Sequence, residues 1–445
     1  MKLPILLALA GSLLATGSGA QTAANRCGNT LLLQQLTTSD PAFMQARQER
    51  LDAAQQQAEA RAAQGALQKT AAQNPIPVVF HVVVSAGQYL QMGLDTGIIR
   101  RVTSQLASLN ADYSATNSDI GNVPTPFVPV IGNTGISFQL ASGTSANTIT
   151  PGIEVKIITN SSAFTSNDGF AGAKRTASGG LNGWDPARQL NIWVIKTDQS
   201  ILGLCIPPSF IGASFGGQTF TSADLGVVVD YGAFGKREFS SQYFNPRTID
   251  GGRTLTHEIG HYFELAHIWG DAAGCTPDDG ISDTPPQDDA TYCQSGCPTF
   301  PRFDGCSPSG NGIMFMNYMD YVDDAAMMLF TKQQVIRMRN QIAVGGNSYS
   351  LTQQPAQAVA SVPEAGTLVS MHPNPTTGAI TLQNLTRQKL EQLTVLDLTG
   401  RQVLHLNEMA PGGSGSLDLA RFGKGMYFLK GYSGTNAFTH KIIVR

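Results

Sequence analysis

One stretch of the sequence carries a metal-binding pattern, and it reads His257-Glu258-Ile259-Gly260-His261-Tyr262-Phe263-Glu264-Leu265-Ala266-His267. On a helix, His257 and His261 are four residues apart, so their imidazole rings leave the same face. That spacing lets two neutral ring nitrogens reach one Zn²⁺ at about 2.0–2.1 Å. Glu258 lies beside the metal without binding it, where its carboxylate can accept a proton from the attacking water. The pattern therefore indicates a catalytic zinc site on a helix.

His267 completes the predicted ligand set. It follows His261 by six residues, which is too far for the same helical face, so the chain must turn back after about one more helical turn. Three protein ligands leave the fourth position open, as in catalytic zinc sites. Two alternatives remain at this point: the histidines are ordinary surface residues, or a downstream carboxylate such as Asp271 replaces His267 as the third ligand.

A second pattern follows in the segment Met316-Asn317-Tyr318-Met319-Asp320-Tyr321. It looks like the Met-turn of metzincins, in which a methionine, here Met319, lies beneath the zinc as an apolar floor. Residues 257–271 and 316–324 together resemble the pappalysin family of metzincin metallopeptidases, on its cytophagalysin/ulilysin-like side. The resemblance covers roughly residues 27–341. It implies an α+β metzincin-type zincin catalytic domain, with a mixed twisted sheet plus the active-site helix, and a zinc-dependent endopeptidase.

Glu264 departs from that family. Metzincins usually have glycine at this position, where the helix ends and the backbone turns left-handed. A residue with a Cβ adopts that conformation at a cost of about 1–2 kcal/mol. We expect either that Glu264 tolerates the strain or that the turn differs, and the second outcome would remove His267 from the ligand set. Glu264 is also the only feature that favours a rival function, a non-catalytic metal-containing surface or matrix-binding protein.

Length and composition place the chain among exported proteins with several domains. Its 445 residues suit two or three domains, and its net charge of −3 argues against a general nucleic-acid binder. Residues 1–20 have a basic start, an apolar run and small residues at the end, which predicts a cleaved signal peptide. No later apolar run reaches the roughly 18 residues of a transmembrane segment. We therefore expect a secreted or cell-surface protein whose six cysteines can form disulfides.

Residues 21–75 are predicted to be a pro-segment. Asp40 and Pro41 start a mostly polar helix that extends to about residue 69, and on composition alone this helix could be a simple spacer. Cys27 favours another role, because a cysteine thiolate can occupy the fourth zinc position and keep an enzyme latent. Latent pappalysin-family enzymes have such a cysteine, which supports a switch over a structural disulfide or an idle thiol. Activation would then be cleavage before Ile76.

Residues 76–345 are predicted to form the catalytic domain. Its first strand is the apolar, β-branched run 76–84, in which His81 is interpreted as a buried core residue and not a ligand. Residues 201–207 resemble the family's edge strand above the cleft, which can pair with an extended substrate. Cys205 within that strand is expected to be unpaired. The remaining predicted elements are a helix at 95–113, strands at 136–140, 153–158, 190–195 and 225–230, and a terminal helix at 331–342.

Four cysteines lie in the Gly- and Pro-rich segment after the active-site helix, namely Cys275, Cys293, Cys297 and Cys306. An even set of this size allows three disulfide pairings. The family resemblance suggests Cys275–Cys297 and Cys293–Cys306. A second zinc site is the competing use, although the segment has no Cys-x-x-Cys pair.

The same segment contains the acidic loop 278–284, whose carboxylates and carbonyls are ligands that Ca²⁺ favours. Known calcium sites in the similar family point to Asp279 and the carbonyl of Thr284, and the alternative is a solvated acidic loop. The resemblance also assigns two residues after the Met-turn. Tyr321 would support the oxyanion of the transition state, or else simply pack in the core. Asp324 would line the S1′ pocket and select Arg or Lys at P1′, or else be a solvated carboxylate.

The C-terminal part of the chain has a different pattern. Residues 346–366 show no hydrophobic period and are interpreted as a linker. Short alternating strands follow in residues 367–445, which predicts a small all-β sandwich domain. The segments 373–378, 395–401 and 425–428 resemble the C-terminal sorting domain of type IX secretion, in preference to a carbohydrate-binding or adhesion module. The whole sequence thus predicts a secreted protease, made as a latent precursor, that acts on protein or peptide substrates and is exported by the type IX secretion machinery.

Overall fold

The computed structural model describes residues 26–63, 74–159, 164–198, 201–237, 249–272, 274–276, 278–293, 296–354, 369–386, 388–397, 401–433 and 436–445. The predicted signal peptide lies outside these ranges, as do the end of the predicted pro-segment and the second half of the predicted linker. In the described part of the chain, no helix is both long and apolar enough to span a membrane.

The described residues of the predicted pro-segment, called the pro-segment below, form two helices, α1 (Asn29–Ser39) and α2 (Pro41–Ala63). The predicted helix start is confirmed, because the Asp40 carboxylate accepts a hydrogen bond from the N–H of Phe43 at 3.1 Å. Leu32 and Leu36 on α1 are buried in a hydrophobic cluster of the catalytic domain. Helix α2 packs against the terminal helix of that domain, Lys332–Ile342. The pro-segment is therefore attached to the catalytic domain and is not a free spacer.

A mixed sheet of seven strands frames the catalytic domain. The strands of this domain are β1 (Ile76–Ser85), β2 (Phe138–Leu140), β3 (Thr148–Thr150), β4 (Ile153–Ile158), β5 (Leu190–Ile195), β6 (Gly203–Ile206), β7 (Ser214–Phe215), β8 (Gln218–Thr219) and β9 (Gly226–Asp230). The sheet order is β3-β4-β1-β5-β9-β6, β2 pairs with β1, and β7 and β8 form a separate hairpin. Strands β4, β1, β5 and β9 run parallel, whereas β3 and β6 are antiparallel to their neighbours. Parallel strands are covered on both faces, which explains the continuous apolar run of β1.

Five helices accompany this sheet: α3 (Ala86–Gln91), α4 (Leu94–Tyr113), α5 (Arg253–Tyr262), α6 (Lys332–Ile342) and α7 (Tyr349–Thr352). Helix α5 carries the first two histidines and contacts β6, β9 and α4. All its residues are buried, so packing on several sides fixes its position. At the start of α6, the predicted Thr331 cap is confirmed, since the N–H of Gln334 donates to the Thr331 hydroxyl at 3.2 Å.

The predicted α+β frame is confirmed, and most predicted elements of the catalytic domain end within two residues of the observed ones, whereas the active-site helix, predicted over residues 254–266, ends at Tyr262. His81 is fully buried in β1, as expected of a core residue. Its Nδ1 pairs with the Glu154 carboxylate, and its Nε2 lies 3.0 Å from the side-chain oxygen of Asn191. His81 is thus held by hydrogen bonds away from the metal-binding histidines. Cys205 is buried and free, also as expected.

The predicted disulfide pairing is wrong. The observed bonds are Cys275–Cys306 and Cys293–Cys297. Asp288 explains the first bond, because its carbonyl accepts from the N–H of Gly274 at 3.3 Å and its carboxylate accepts from the N–H of Gly305 at 3.1 Å. These contacts bring the neighbours Cys275 and Cys306 together, with their Cα atoms 5.3 Å apart. The second bond, Cys293–Cys297, closes a short local turn. The spacing of the four cysteines in the sequence does not reveal either bond.

The start of the predicted linker also differs from the structure. Helix α7 lies there, and Leu351 is buried in the hydrophobic core of the catalytic domain. The N–H of Ser348 donates to the carbonyl of Gln341 at 2.8 Å, which folds this segment onto α6. A single helical turn is too short to produce a hydrophobic period. The catalytic domain therefore continues to Gln354, the last residue described before the linker.

The C-terminal residues form the predicted small β-sandwich. Its strands are β10 (Val369–His372), β11 (Ala379–Asn384), β12 (Leu390–Leu396), β13 (Gln402–His405), β14 (Ser414–Asp418), β15 (Gly425–Ser433) and β16 (Asn436–Val444). One sheet has the order β10-β11-β14 and the other β13-β12-β15-β16. Alternate side chains face a separate core, for example Ile380 and Leu382 on β11 and Leu393 and Val395 on β12. This domain thus has its own hydrophobic core.

Candidate metal centre

Three histidines converge at the end of α5. His257 and His261 leave one face of the helix, as their spacing predicts, and their Nε2 atoms lie 3.1 Å apart. The Nε2 atom of His267 lies 3.1 Å from each of them. Ligands of one tetrahedral zinc ion are about 3.3 Å apart when each Zn–N distance is about 2.0–2.1 Å. The three nitrogens therefore have the mutual separation of a shared ligand set.

The other ring nitrogen of each histidine faces an acceptor. These partners are the Tyr318 carbonyl for His257 (2.7 Å), the Leu265 carbonyl for His261 (2.7 Å) and the Asp271 carboxylate for His267. Each Nδ1 therefore carries the proton, and each Nε2 directs a lone pair at the other two. Three lone pairs in this arrangement repel each other unless a cation lies between them, so the residues fit zinc. Asp271 contacts the Nδ1 atom of His267, on the side of the ring away from the other two Nε2 atoms.

Burial keeps the first two imidazoles in the form that binds metal. It lowers the pKa of His257 and of His261 well below the usual value. A metal-binding imidazole must be neutral. The helix therefore presents two deprotonated ligands across the physiological pH range.

The turn after α5 keeps its expected course although Glu264 occupies it. Glu264 adopts a left-handed backbone with φ of 69°, and its N–H donates to the carbonyl of His261 at 2.9 Å. The chain then brings back His267, whose ring stacks on Trp269 with centroids 4.4 Å apart. The buried Glu264 carboxylate pairs with Arg47 of α2. Glu264 thus tolerates the strain, and His267 stays in the ligand set.

Met319 lies against α5, next to the histidines. A Cβ at Gly260 would lie 2.5 Å from Met319 Sδ, so the absence of a side chain at Gly260 permits this contact. The N–H of Met319 donates to the side chain of Asn317 at 2.9 Å, and its carbonyl accepts from the N–H of Ile268 at 3.4 Å. These bonds connect the Met-turn to the segment that carries the third histidine.

Glu258 is buried between the histidines and β6, with 1% of its surface exposed. Burial raises the pKa of its carboxyl to about 8, and the hydrogen bond with the Cys27 thiol, 3.5 Å away, partly opposes that shift. A Cβ at Gly203 would lie 2.5 Å from Glu258 Oε1, so only glycine on the edge strand leaves room for this side chain. A carboxyl in this range can accept and return a proton near neutral pH.

The pro-segment places Cys27 at the histidines. The Cys27 sulfur and one nitrogen of each of the three histidines all lie within 4.8 Å of one another. Burial and the nearby Glu258 carboxylate raise the pKa of the thiol well above its usual value. A thiolate here therefore requires a neighbouring cation, and three imidazoles with one thiolate are a ligand set that suits tetrahedral zinc.

The backbone around Cys27 extends the edge of the sheet at β6. The N–H of Leu202 donates to the carbonyl of Arg26 at 2.6 Å, and the N–H of Gly28 donates to the carbonyl of Gly203 at 2.8 Å. The two chains run parallel at this bridge. The pro-segment thus occupies backbone groups that an edge strand offers to an extended peptide.

Sequence patterns do not identify Asn29 and Thr30, which complete this contact. The Asn29 side chain donates to the carbonyl of Cys205 at 3.0 Å and accepts from its N–H at 2.8 Å. The Thr30 hydroxyl donates to Asp271 at 3.0 Å and lies 3.1 Å from the Tyr321 hydroxyl. Their position directly after Cys27 was the only signal available in the sequence.

The acidic residues after the Met-turn occupy different environments. Asp324 lines a cavity beside His257, but its carboxylate accepts from the N–H groups of Gly251 and Arg253 at 2.7 and 3.1 Å, before and at the start of α5. Asp323 instead forms a buried ion pair with Arg26 of the pro-segment. The arginine next to Cys27 therefore pairs with Asp323, and the role of Asp324 in the S1′ pocket stays a prediction.

The predicted calcium ligands lie together on their loop. The Thr284 hydroxyl is 2.9 Å from both carboxylate oxygens of Asp279, and the N–H of Ile281 donates to the same carboxylate at 3.0 Å. Burial raises the pKa of Asp279 to about 7. Arg337 donates to the Asp279 carbonyl at 3.2 Å. Calcium at Asp279 and the Thr284 carbonyl stays a prediction.

Two family models match the chain. The model described as Pregnancy-associated plasma protein-A, a peptidase family, matches residues 226–343, and the model described as Secretion system C-terminal sorting domain matches residues 370–445. The first match covers helix α5, the histidines and the Met-turn. The second confirms the predicted sorting domain, and with it a destination outside the cell or on its surface.

Curated relatives and a solved structure agree with these matches. An extracellular metalloprotease of Uncinocarpus reesii is 31% identical over 63% of this chain and 81% of its own length. Another, of Verticillium alfalfae, is 38% identical over 34% of this chain, which spans about half of that protein (49%). The structure of a Tannerella forsythia promirolysin mutant is similar with a TM-score of 0.59 and 32% identity, over 74% of this chain and 97% of that one. With the three-histidine site on α5, these matches show that the chain belongs to the pappalysin family of metallopeptidases and carries a C-terminal secretion sorting domain.

Proposed function

We propose that the mature chain is a secreted zinc endopeptidase that hydrolyses protein or peptide substrates, and that the precursor is latent. The observation that carries this proposal is the set of three mutually facing Nε2 atoms with the Glu258 carboxyl beside them. His257, His261 and His267 would hold zinc, which would supply the Lewis-acid chemistry for a scissile carbonyl and for water. The chain's own residues then supply proton transfer and substrate alignment.

Glu258 is the proposed general base and acid. Its buried carboxylate accepts a proton from the attacking water and returns it to the leaving amine. Burial of this carboxyl raises its pKa, which favours holding the proton between the two steps. Hydrolysis then needs no covalent acyl-enzyme, since water is the nucleophile.

Substrate alignment is assigned to the edge strand β6. The N–H of Leu202 and the carbonyl of Gly203 already bind the pro-segment backbone, and an extended substrate can use the same groups. Tyr321 is the proposed oxyanion donor. Its buried ring lies 4.9 Å from that of His267 between centroids, and its hydroxyl contacts Thr30 of the pro-segment. Removal of the pro-segment would release that hydroxyl for substrate.

Latency is assigned to Cys27. A thiolate in the fourth ligand position excludes the catalytic water, and the hydrogen bonds of Arg26 and Gly28 to β6 block the substrate path. Cleavage between α2 and Ile76 would activate the enzyme by allowing this segment to leave. The solved relative is itself a pro-form, as its name states.

A preference for Arg or Lys at P1′ is the finest part of the proposal. Arg26 lines the cavity that also contains His257 and Glu258, and it directs its guanidinium to Asp323, next to the lining residue Asp324. A substrate arginine beside the scissile bond can pair with the same carboxylate once Arg26 has left. We therefore assign the specificity role primarily to Asp323, with Asp324 supporting the pocket wall.

The deciding experiment compares hydrolysis of gelatin by the matured chain and by its Glu258→Ala variant, with zinc content measured in both. We expect gelatin to be hydrolysed only by the parent, and zinc to remain in both because Glu258 is not a ligand. Equal hydrolysis by both would remove Glu258 from the mechanism. Zinc-loaded protein that is inert in both forms on gelatin and on arginine-containing peptides would favour the metal-containing binding protein instead.

A further inference from the structure

We propose that Glu264, Ser209 and Phe210 form a guanidinium-binding pocket on the catalytic domain, and that this pocket retains the pro-segment through Arg47 after the chain has been cut. The proposal rests on the proposed latency of the precursor, but not on peptide hydrolysis. It gives the pro-segment a second attachment, separate from Cys27, and it gives a role to the residue that departs from the family.

Three kinds of contact hold the Arg47 side chain. Its Nη2 forms an ion pair with Glu264, its Nε donates to the Ser209 hydroxyl at 2.9 Å, and its guanidinium carbon lies 4.6 Å from the centroid of the Phe210 ring. The side chains of Arg47 and Glu264 are only 11% and 1% exposed. A carboxylate, a hydroxyl and an aromatic face are the groups that recognise a planar guanidinium in preference to an ammonium.

The pocket belongs to the catalytic domain and remains when the pro-segment leaves. Glu264 lies in the turn after α5, and Ser209 and Phe210 lie in the short helical turn after β6. The Glu264 Oε1 atom is buried and has no hydrogen-bond partner among the described residues, so the carboxylate has a second acceptor to offer. An arginine guanidinium can donate to both carboxylate oxygens at once in a bidentate pair.

The catalytic domain has no evident structural need for a carboxylate at this position. The left-handed turn costs a residue with a Cβ about 1–2 kcal/mol, which glycine avoids. A buried carboxylate also requires a cation or several hydrogen-bond donors. Arg337, on α6, directs its guanidinium to the carbonyls of Asp279 and Gly280. Arg337 attracts Glu264 by charge, but the ion-pair partner of the Glu264 carboxylate in the precursor is Arg47 of the pro-segment.

Helix α2 depends on such an anchor because its sequence is mostly polar. A cavity of about 570 Å³ lies between α2 and the catalytic domain, and Arg47 and Arg50 are among its lining residues. Apolar packing along α2 is therefore incomplete, and the Arg47–Glu264 ion pair is a specific contact of this helix that is shielded from solvent. Two attachments on one segment also favour rebinding, because the bound end keeps the other at high local concentration.

The test measures how tightly the cut pro-segment is retained. All variants carry Glu258→Ala, which prevents self-cleavage, and a recognition site for a specific protease within residues 64–73. After cleavage of the full chain loaded with zinc, the dissociation constant of the pro-segment is measured by dilution and size-exclusion chromatography. The variants are Arg47→Ala, Arg47→Lys, Glu264→Gln and the pair Arg47→Ala with Glu264→Gln. Arg50→Ala is the matched control, because Arg50 is exposed on the same helix and lines the same cavity.

We expect Arg47→Ala and Glu264→Gln each to weaken retention by about 10- to 100-fold, since a buried charge loses its partner. Arg47→Lys should also weaken it, because an ammonium cannot contact the carboxylate, the hydroxyl and the ring together. The paired variant should bind no more weakly than the worse single variant, and Arg50→Ala should match the parent.

A dissociation constant for Arg47→Ala within twofold of the parental value would overturn the pocket. So would a paired variant whose loss of affinity equals the product of the two single losses, because the two residues would then act independently. If Glu264→Gln does not fold, the two Arg47 variants decide alone, because Arg47 is absent from the mature enzyme. If the matured chain with Glu258 intact does not hydrolyse gelatin while Arg47→Ala still weakens retention, the proposed peptidase is contradicted and the pocket stands. If the matured chain hydrolyses gelatin but Arg47→Ala does not weaken retention, the pocket is contradicted and the proposed peptidase stands.

Discussion

At Gly203, the edge strand lacks a side chain where the Glu258 carboxyl needs space. A Cβ there would lie 2.5 Å from both Cγ and Oε1 of Glu258. We expect Gly203→Ala to displace the carboxyl and lower kcat by up to about 100-fold, because catalytic groups tolerate little misplacement. Zinc content should not change, since the histidines are untouched. Peptide hydrolysis and metal analysis of the matured chain measure the two effects.

Gly121→Ala is the control for that substitution, because no heavy atom lies within 4 Å of a Cβ at Gly121. Its kcat should equal that of the parent. An unchanged kcat in Gly203→Ala would mean that Glu258 occupies another position in the mature enzyme.

Asp323 and Asp324 are neighbours with separable roles. Asp323→Asn should reduce kcat/KM by about 10- to 100-fold for a peptide with arginine at P1′, since a charge-assisted bond worth about 1.5–3 kcal/mol is lost. A matched peptide with leucine at P1′ should be hydrolysed as by the parent. Asp324→Asn should keep the preference, because its amide oxygen can still accept from Gly251 and Arg253. Loss of the preference in Asp324→Asn alone would assign the specificity role to Asp324.

Asp324 also predicts a pH dependence of stability. Burial raises the pKa of its carboxyl to about 6, against about 3.9 in an unfolded chain. The folded state holds the proton more tightly, so this group stabilises the fold below about pH 4, and the contribution is lost as the pH rises to about 6. Across that window, the parent should lose about 3 kcal/mol of unfolding free energy relative to Asp324→Asn. Urea unfolding at several pH values measures the difference.

The exposed Asp278 provides the comparison for this titration. The unfolding free energy of Asp278→Asn should change with pH in the same way as that of the parent over this range. A difference between the parent and Asp324→Asn that is constant with pH would show that Asp324 is ionised throughout and that its effect is only one of hydrogen bonding.

Among the elements, the long loop after the third histidine depends on its disulfides. Cys275 and Cys306 are separated by 31 residues, whereas Cys293 and Cys297 are separated by four. A cross-link restricts the unfolded chain more when it closes a longer loop, so replacing the first pair by serine should cost about 4 kcal/mol and the second about 2 kcal/mol. Urea unfolding of both double variants gives the comparison. Equal losses, or a larger loss at the short loop, would contradict this order.

The active-site helix shows how far an element can be predicted. The spacing of its histidines can be predicted from the sequence, because it depends only on helix geometry. The neighbouring strands and the caps of α2 and α6 can be predicted for the same reason, since each depends on residues close together in the chain. The short α7 does not, because one turn has too few residues for a period. Its burial comes from contacts with α6 and β1.

For the whole molecule, the separate core of the C-terminal domain has a direct consequence. The hydrophobic clusters described in the catalytic domain include residues only up to Leu351, and the sorting domain packs around its own set. A chain that lacks residues 370–445 should therefore fold and bind zinc but remain inside the cell envelope. Cell fractionation with immunoblotting measures location, and metal content measures folding of the site.

Full-length Glu258→Ala serves as the control for export, because it removes activity and keeps the sorting domain. It should leave the cell as the parent does. Release of the truncated chain into the medium at the parental level would show that the sorting domain does not direct export.

The sequence by itself predicted the three histidines that the structure brings together and the α+β frame, and its family resemblance predicted the sorting domain. These depend on short-range spacing: two histidines one helical turn apart, strands with continuous apolar runs, and caps next to their helices. The sequence also identified Glu264 as a residue at a position that glycine usually occupies. Only the structure shows that Glu264 adopts the left-handed backbone of that turn.

Only the tertiary structure decided the disulfide pairing and the pro-segment contacts. Arg47 reaches Glu264 across 217 residues of sequence, and Arg26 reaches Asp323 across 297. No local spacing encodes such contacts, because they form only when the packed sheet and helices bring distant segments together. The energy of a buried ion pair depends on that packing, since the surrounding protein removes the water that would otherwise solvate each charge.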